Sequence, residues 1–203
     1  MISTVAEGHR FDAGELVAFC DALYRAHGMR DDIAASSARI LVEADLLGHS
    51  THGMALLAGY LGALDQKTLR AAGDPIIEHQ RTVTQTWDGQ RLSGLWLTER
   101  AINTATDLAK AHGSGTIVVK HSHHIACLAA YLEAPARAGF VVIVQSSDPC
   151  SASVAPHGGI TPVMTPNPIA VGIPTGGDPI MVDISSSITA NGPSQRMMKE
   201  GKR

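Results

Sequence analysis

Residues 116–145 read TIVVKHSHHIACLAAYLEAPARAGFVVIVQ. Thr116 to Lys120 is a short β-branched run, His124 to Ala138 has helical character, and Phe140 to Gln145 is a second apolar run. Strand, helix, strand in that order predicts an α/β protein. Pro135 falls inside the expected helix and should kink or shorten it, because proline lacks a backbone donor and clashes with the preceding turn.

Further along, Ile169 to Ile173 and Ile180 to Ile184 are two more apolar runs, separated by Pro174, Gly176, Gly177 and Pro179. They predict a hairpin or a longer crossover, and a mixed rather than purely parallel sheet. Upstream, Thr82 to Trp87 alternates β-branched and polar residues before the turn pair Asp88-Gly89, and Thr98 is placed to cap a helix ending near His112-Gly113. The first sixty or so residues read as helices. Asp12 caps one carrying Leu16, Val17, Cys20, Leu23 and Tyr24, Asp31 or Asp32 starts another that ends at Gly48, and Met54, Leu57, Tyr60, Leu61 and Leu64 mark a third. The expected organisation is a helical segment over residues 1–80 and a sheet-containing portion over 81–203. Pro193 to Lys202 reads as the start of a helix without a terminating signal, so the chain is expected to be a fragment.

The chain has 203 residues, 44% of them hydrophobic and 17% charged, a globular composition with aliphatic packing because aromatics are only 4%. A formal charge of −3 with scattered lysines and arginines argues against a nucleic-acid partner. No apolar stretch approaches the ~18 residues of a membrane span. Cys20, Cys127 and Cys150 show no C-x-x-C spacing, which fits a reducing cytoplasm better than a disulfide framework.

Five of the ten histidines lie in two clusters, His49-Ser50-Thr51-His52 and His121-Ser122-His123-His124. Imidazole exchanges protons near neutral pH and also binds metals. The bland readings are helix capping by Ser50 or Thr51 and polar loop residues after a strand. A metal is the competing use, since each cluster holds two histidines three apart. No H-E-x-x-H occurs, however, and Asp148 and Asp183 are distant in sequence, so no metal is expected. Gly113-Ser114-Gly115 precedes a strand instead of following one, so it is not a Rossmann fingerprint, and neither a phosphate loop nor a G-x-S-x-G elbow is present. Ser146-Ser147-Asp148-Pro149 and Thr165-Pro166-Asn167-Pro168 are turn-like, with hydroxyls and amides suited to a ribose or carboxylate.

Taken in order, Ala44-Asp45-Leu46-Leu47-Gly48, Thr51-His52-Gly53, Tyr60-Leu61, Ser122-His123-His124, Val154-Ala155-Pro156 with Gly158-Gly159, Asn167-Pro168-Ile169-Ala170 and Asp183 resemble the malate/L-lactate dehydrogenase family of non-Rossmann oxidoreductases. The resemblance runs from about residue 12 to the end of the chain. It implies a sulfolactate-dehydrogenase-like α/β fold, NAD or NADP as cofactor, a 2-hydroxy or 2-oxo acid or a related C=N substrate, and a homodimer. Family members run to well over three hundred residues, which again implies a truncated chain. Carried over by position, His52 and His124 match the active-site histidines and Thr51 stands where serine is usual. His124, Ile125, Ala126, Cys127 and Leu128 match a cofactor-contacting stretch, as do Ser147, Asp183, Ile184 and Ser185. Thr165 and Tyr60 fall on the substrate side.

Two positions depart from the family pattern. Many relatives carry arginine four residues after the first histidine to grip a carboxylate, and Leu56 stands here; an acidic relay position of some imino acid reductases is Pro193. Two other readings compete with the dehydrogenase: a metal-dependent hydrolase or lyase using the same histidines, and a truncated, non-catalytic remnant.

Overall fold

The computed structural model describes residues 10–187 and Gly201. The helix expected over Pro193 to Lys202 lies outside these residues apart from Gly201. Asp12 caps α1 (Ala13–Ala26) as expected, its carboxylate accepting the Glu15 N–H at 3.0 Å. Helix α1 packs against α2 (Asp31–Leu46), which turns Ile33, Ala34, Ile40 and Leu41 into the core. A 3-10 turn at Met54–Leu56 leads into α3 (Leu57–Asp65).

Strands β1 (Ile76–Gln80), β2 (Thr84–Asp88) and β3 (Thr116–Lys120) form one mixed sheet, with β1 antiparallel and β3 parallel to the central β2. Helix α4 (Gly94–His112) makes the crossover from β2 to β3 and packs on β3. It starts at Gly94, not at Thr98. Leu95, Trp96 and Leu97 are buried in its first turn, and Ser93 pairs its hydroxyl with that of Ser37 at 2.7 Å in the interior, so packing sets the start. Strand β1 has no counterpart in the sequence reading because all five of its side chains are exposed and leave no alternation to detect.

The expected helix from His124 to Ala138 is replaced by an extended stretch to Cys127, a 3-10 turn at Leu128–Tyr131 and a short α5 (Glu133–Arg137). Ala126 has φ 56°, which no α-helix accommodates. Pro135 sits in the first turn of α5, where a missing N–H costs nothing. The 3-10 turn buries Leu128, Ala129 and Tyr131 between α2, α4 and a second sheet.

That sheet is fully antiparallel, in the order β4 (Val142–Gln145), β5 (Ile169–Ile173), β6 (Ile180–Ile184). Strands β5 and β6 are therefore a hairpin, and the run at Phe140 to Gln145 pairs with β5 instead of extending the sheet of β3. The α/β class with mixed pairing holds, with the mixed pairing confined to the first sheet. Val144 and Ala170 point into the core, while Ile143, Ile173, Ile180, Val182 and Ile184 leave the opposite face apolar and open. No helix among the described residues is long and apolar enough to cross a membrane.

Candidate active site

Two loops bring the histidine clusters together. The first leaves α2 where the His49 N–H reaches the Ala44 carbonyl at 2.8 Å and the Gly48 N–H reaches that of Asp45 at 3.0 Å, with Gly48 at φ 85°. This helix-ending turn fixes His49 at the helix terminus. Asp45 then holds the loop from below. Its Oδ2 accepts the Met54 N–H at 2.7 Å, and a Cβ on Gly53 would stand 2.4 Å from its Cγ, so the bare glycine is what lets the carboxylate in.

The second loop is pinned to the start of α4. The Arg91 N–H meets the His121 carbonyl at 2.7 Å and the His123 N–H meets the Leu92 carbonyl at 3.1 Å. A Cβ on Gly94 would lie 2.1 Å from the His123 oxygen and 2.5 Å from that of His124. The absence of a side chain at Gly94 therefore sets how closely this loop can approach.

The rings of His52 and His124 stack with centroids 6.1 Å apart and planes inclined by 27°. Tyr60, on α3, places its hydroxyl 2.7 Å from His124 Nδ1 and meets the His123 ring edge-on at 5.5 Å. The Ala126 N–H lies 3.3 Å from the same Nδ1. A backbone N–H only donates, so Nδ1 carries the lone pair and the proton of neutral His124 sits on Nε2. The Thr51 hydroxyl lies 3.0 Å from His52 Nδ1 and suits either tautomer.

Burial first, and then the neighbouring His52 and His123, push His124 down to about 4 against an opposing pull from Asp148. The residue still presents surface to solvent, which moderates the effect of burial, but the consequence at neutral pH, an uncharged ring, is the same. His52 is also lowered by burial and by His49, with Asp183 pulling the other way. Burial lowers His123 too, and its Nδ1 has no hydrogen-bond partner among the described residues.

Asp183 comes from β6 to the same place. Its Oδ2 accepts the Ala129 N–H at 2.9 Å and lies 3.8 Å from the Cys127 sulfur. A second polar group forms at the strand ends, where the Asn167 Oδ1 accepts from both Ser147 and Thr165 at 2.8 Å. Asn167 adopts φ 44°, a conformation asparagine tolerates better than most residues. An open groove of about 620 Å³ beside it is lined by Gln145, Ser146, Ser147, Asn167, Pro168 and Ile169. Neutral hydroxyls and amides next to apolar Pro168 and Ile169 fit a nucleotide's sugar and amide.

Thr51, His52, Tyr60, His124, Ala126, Cys127 and Asp183 thus converge, with Ser147 and Thr165 joined through Asn167. Others stand apart. The Leu128 side chain is buried in the core, the Ile125 carbonyl accepts the Tyr131 hydroxyl at 2.6 Å, and the Ser185 hydroxyl donates to the Ser187 carbonyl at 3.0 Å. Ile184 is exposed on the strand face opposite Asp183. His121 turns away to Asp88 at 3.1 Å. Sequence reading assigns no individual role to Asp45, and reaches Asn167 only as the amide of a turn suited to a ribose or carboxylate. The available signals are a carboxylate just ahead of two glycines and an asparagine between two prolines.

A model of the malate/L-lactate dehydrogenase family matches residues 11–203. Hydroxycarboxylate dehydrogenase B of Escherichia coli O157:H7 is 31% identical over 195 residues, covering 96% of this chain and 54% of that protein. L-sulfolactate dehydrogenase of Methanothermobacter thermautotrophicus is 30% identical over 166 residues, covering 81% of this chain and 48% of its own length. Among solved structures, malate dehydrogenase from Entamoeba histolytica superposes with a TM-score of 0.90 at 25% identity, covering 96% of this chain and 54% of that one. The chain spans about half the length of the relatives it matches.

Proposed function

The chain belongs to the malate/L-lactate dehydrogenase family, and from that premise we propose that it carries the proton-transfer and nicotinamide-facing residues of an oxidoreductase acting on a 2-hydroxy or 2-oxo acid, with NAD or NADP as cofactor. The observation that carries this reading is the stacked, uncharged pair His52 and His124, with Tyr60 and the Ala126 N–H fixing one ring's tautomer.

The two rings take unequal roles. His124 presents Nε2–H to the substrate oxygen and polarises it as a neutral donor. His52, whose Nδ1 faces Thr51, takes the hydroxyl proton during oxidation and, once protonated, returns it to the alkoxide oxygen during reduction. The nicotinamide, when bound, supplies or accepts the hydride at the substrate's C2. His124, Ala126, Cys127, Ser147 and Asp183 are the residues that would hold it, with Thr165 and Tyr60 on the substrate side.

Leu56 packs against the core and brings no cation to the substrate carboxylate, so substrate choice rests on other contacts. The occupant is a small 2-oxo acid or a cyclic imine. A homodimer is the assembly we propose, and the open apolar face of β4 to β6 is consistent with cover from elsewhere. Free Cys20 and Cys127, both buried, agree with a cytoplasmic setting. A metal-dependent hydrolase is not favoured, because the relatives are dehydrogenases and His121 is paired with Asp88.

The test is a screen of 2-oxo acids and cyclic imines with NADH and NADPH, together with titration of cofactor fluorescence. Saturable cofactor binding with turnover of one acid supports the reading. Cofactor binding without turnover by the 203-residue chain supports the non-catalytic remnant, and absence of both refutes the proposal.

A further inference from the structure

His49 has no part in the proposed proton transfer, and neither does the Cys127 thiol. Yet ligand atoms of His49, Cys127 and Asp183 all lie within 4.8 Å of one another. They come from three separate and well-held places: the end of α2, the entrance to the 3-10 turn at Leu128–Tyr131, and β6. We propose that these three side chains form a binding site for a zinc-class divalent cation beside the stacked histidines.

The donor set carries the choice of ion. One thiolate, one imidazole and one carboxylate suit a borderline-soft cation far better than magnesium or calcium, which take oxygen ligands. Tetrahedral zinc with sulfur at ~2.3 Å and oxygen at ~2.0 Å sets those two ligands roughly 3.5 Å apart. The Cys127 sulfur stands 3.8 Å from Asp183 Oδ2. The Ala129 N–H holds the carboxylate in place through that oxygen. A thiolate and a carboxylate together balance the charge of a divalent ion, and water completes the fourth position. Binding forms the sulfur–metal bond and releases the Cys127 proton to solvent. The bound ion also neutralises the carboxylate that favours protonation of His52. Only one cluster histidine takes part, so this is not the hydrolase arrangement; Cys127 and Asp183 also belong to the proposed cofactor-holding set, and the cobalt readout below tests the metal without requiring turnover.

Cobalt(II) is the probe. Titrated into the purified chain, it should bind once per chain, develop sulfur-to-metal charge-transfer absorption, release protons and be displaced by zinc. Cys127→Ala should abolish that band, and His49→Gln should weaken binding by at least ~10-fold, the loss that even an outer partner of a metal ligand carries. A wild-type chain without the band overturns the site. So does a band retained in Cys127→Ala, which would assign the sulfur to Cys20 or Cys150, or unchanged affinity in His49→Gln. If Cys127→Ala fails to fold, the partly exposed His49→Gln variant decides.

Discussion

The Tyr60 hydroxyl stands 2.7 Å from Nδ1 of His124, joining α3 to the loop that follows β3. With the Ala126 N–H aimed at the same atom, it keeps the ring proton on Nε2. Tyr60→Phe removes one of two donors and leaves the ring packing in place. One neutral hydrogen bond is worth ~1 kcal/mol and a tenfold rate change ~1.4 kcal/mol, so kcat/KM should fall roughly tenfold or less. The melting temperature should move little. Imidazole nitrogen NMR shifts give the independent readout, with more of the Nδ1–H tautomer in the variant. An unchanged rate and unchanged shifts would remove Tyr60 from the site.

His124→Ala and His52→Ala should each cost ~100-fold or more in turnover, the scale of a positioned acid-base group, with circular dichroism unchanged. They should differ in cofactor binding. His124 begins the proposed cofactor-facing stretch, so its loss should also weaken NAD(P)H binding, while His52→Ala should leave binding close to wild type. Full activity in either variant removes that residue from the mechanism.

The pH profile identifies the base. His52 is lowered from its usual 6.5, so it is uncharged at neutral pH, and oxidation of a 2-hydroxy acid should lose rate only as pH falls below 6.5. Asp183 favours the charged ring. Replacing it in Asp183→Asn therefore lowers the His52 pKa further, and the acid limb should move to lower pH, since an amide still accepts the Ala129 N–H. Movement to higher pH would contradict the assignment.

The same burial predicts acid sensitivity of the fold. His52, His123 and His124 are all depressed in the folded chain. Below 6.5 the unfolded chain takes up protons that the folded chain refuses, so their contribution to stability is full above 6.5 and is lost as pH falls toward about 4, where His124 titrates. Thermal melts should drop across this window. His123→Gln, which removes one depressed ring, should flatten the slope.

What the sequence discloses depends on whether local chemistry or distant packing decides the outcome. Asp12, Gly28 and Gly48 bound their helices because a side-chain cap and left-handed glycines act locally. The start of α4 escapes a local reading because Leu95, Trp96 and Leu97 are drawn into a core assembled from α2 and the 3-10 turn. The histidine clusters are visible in the sequence, but the pairing of His52 with His124 and the arrival of Asp183 require both sheets. The extended path after His124 is hidden for a related reason, because the loop is seated against Gly94 of α4, a contact between segments distant in sequence.

Gly94 provides the sharpest test of that dependence. A methyl group there would lie 2.1 Å from the His123 carbonyl oxygen, a backbone atom that cannot rotate aside. Either the loop or α4 must shift, which costs ~1–3 kcal/mol on the scale of overpacked cores. Gly59 is the control. It lies within α3, and a methyl group added there would have nothing within 4 Å, so Gly59→Ala should be neutral or stabilising by up to ~1 kcal/mol through helix propensity. Denaturant melts should show Gly94→Ala destabilised and Gly59→Ala not. At a temperature where both variants are folded, Gly94→Ala alone should lose turnover, because the displaced carbonyls belong to His123 and His124 and carry the ring facing Tyr60 with them. Equal stability and equal rates in the two variants would mean that the loop is not positioned by its contact with α4.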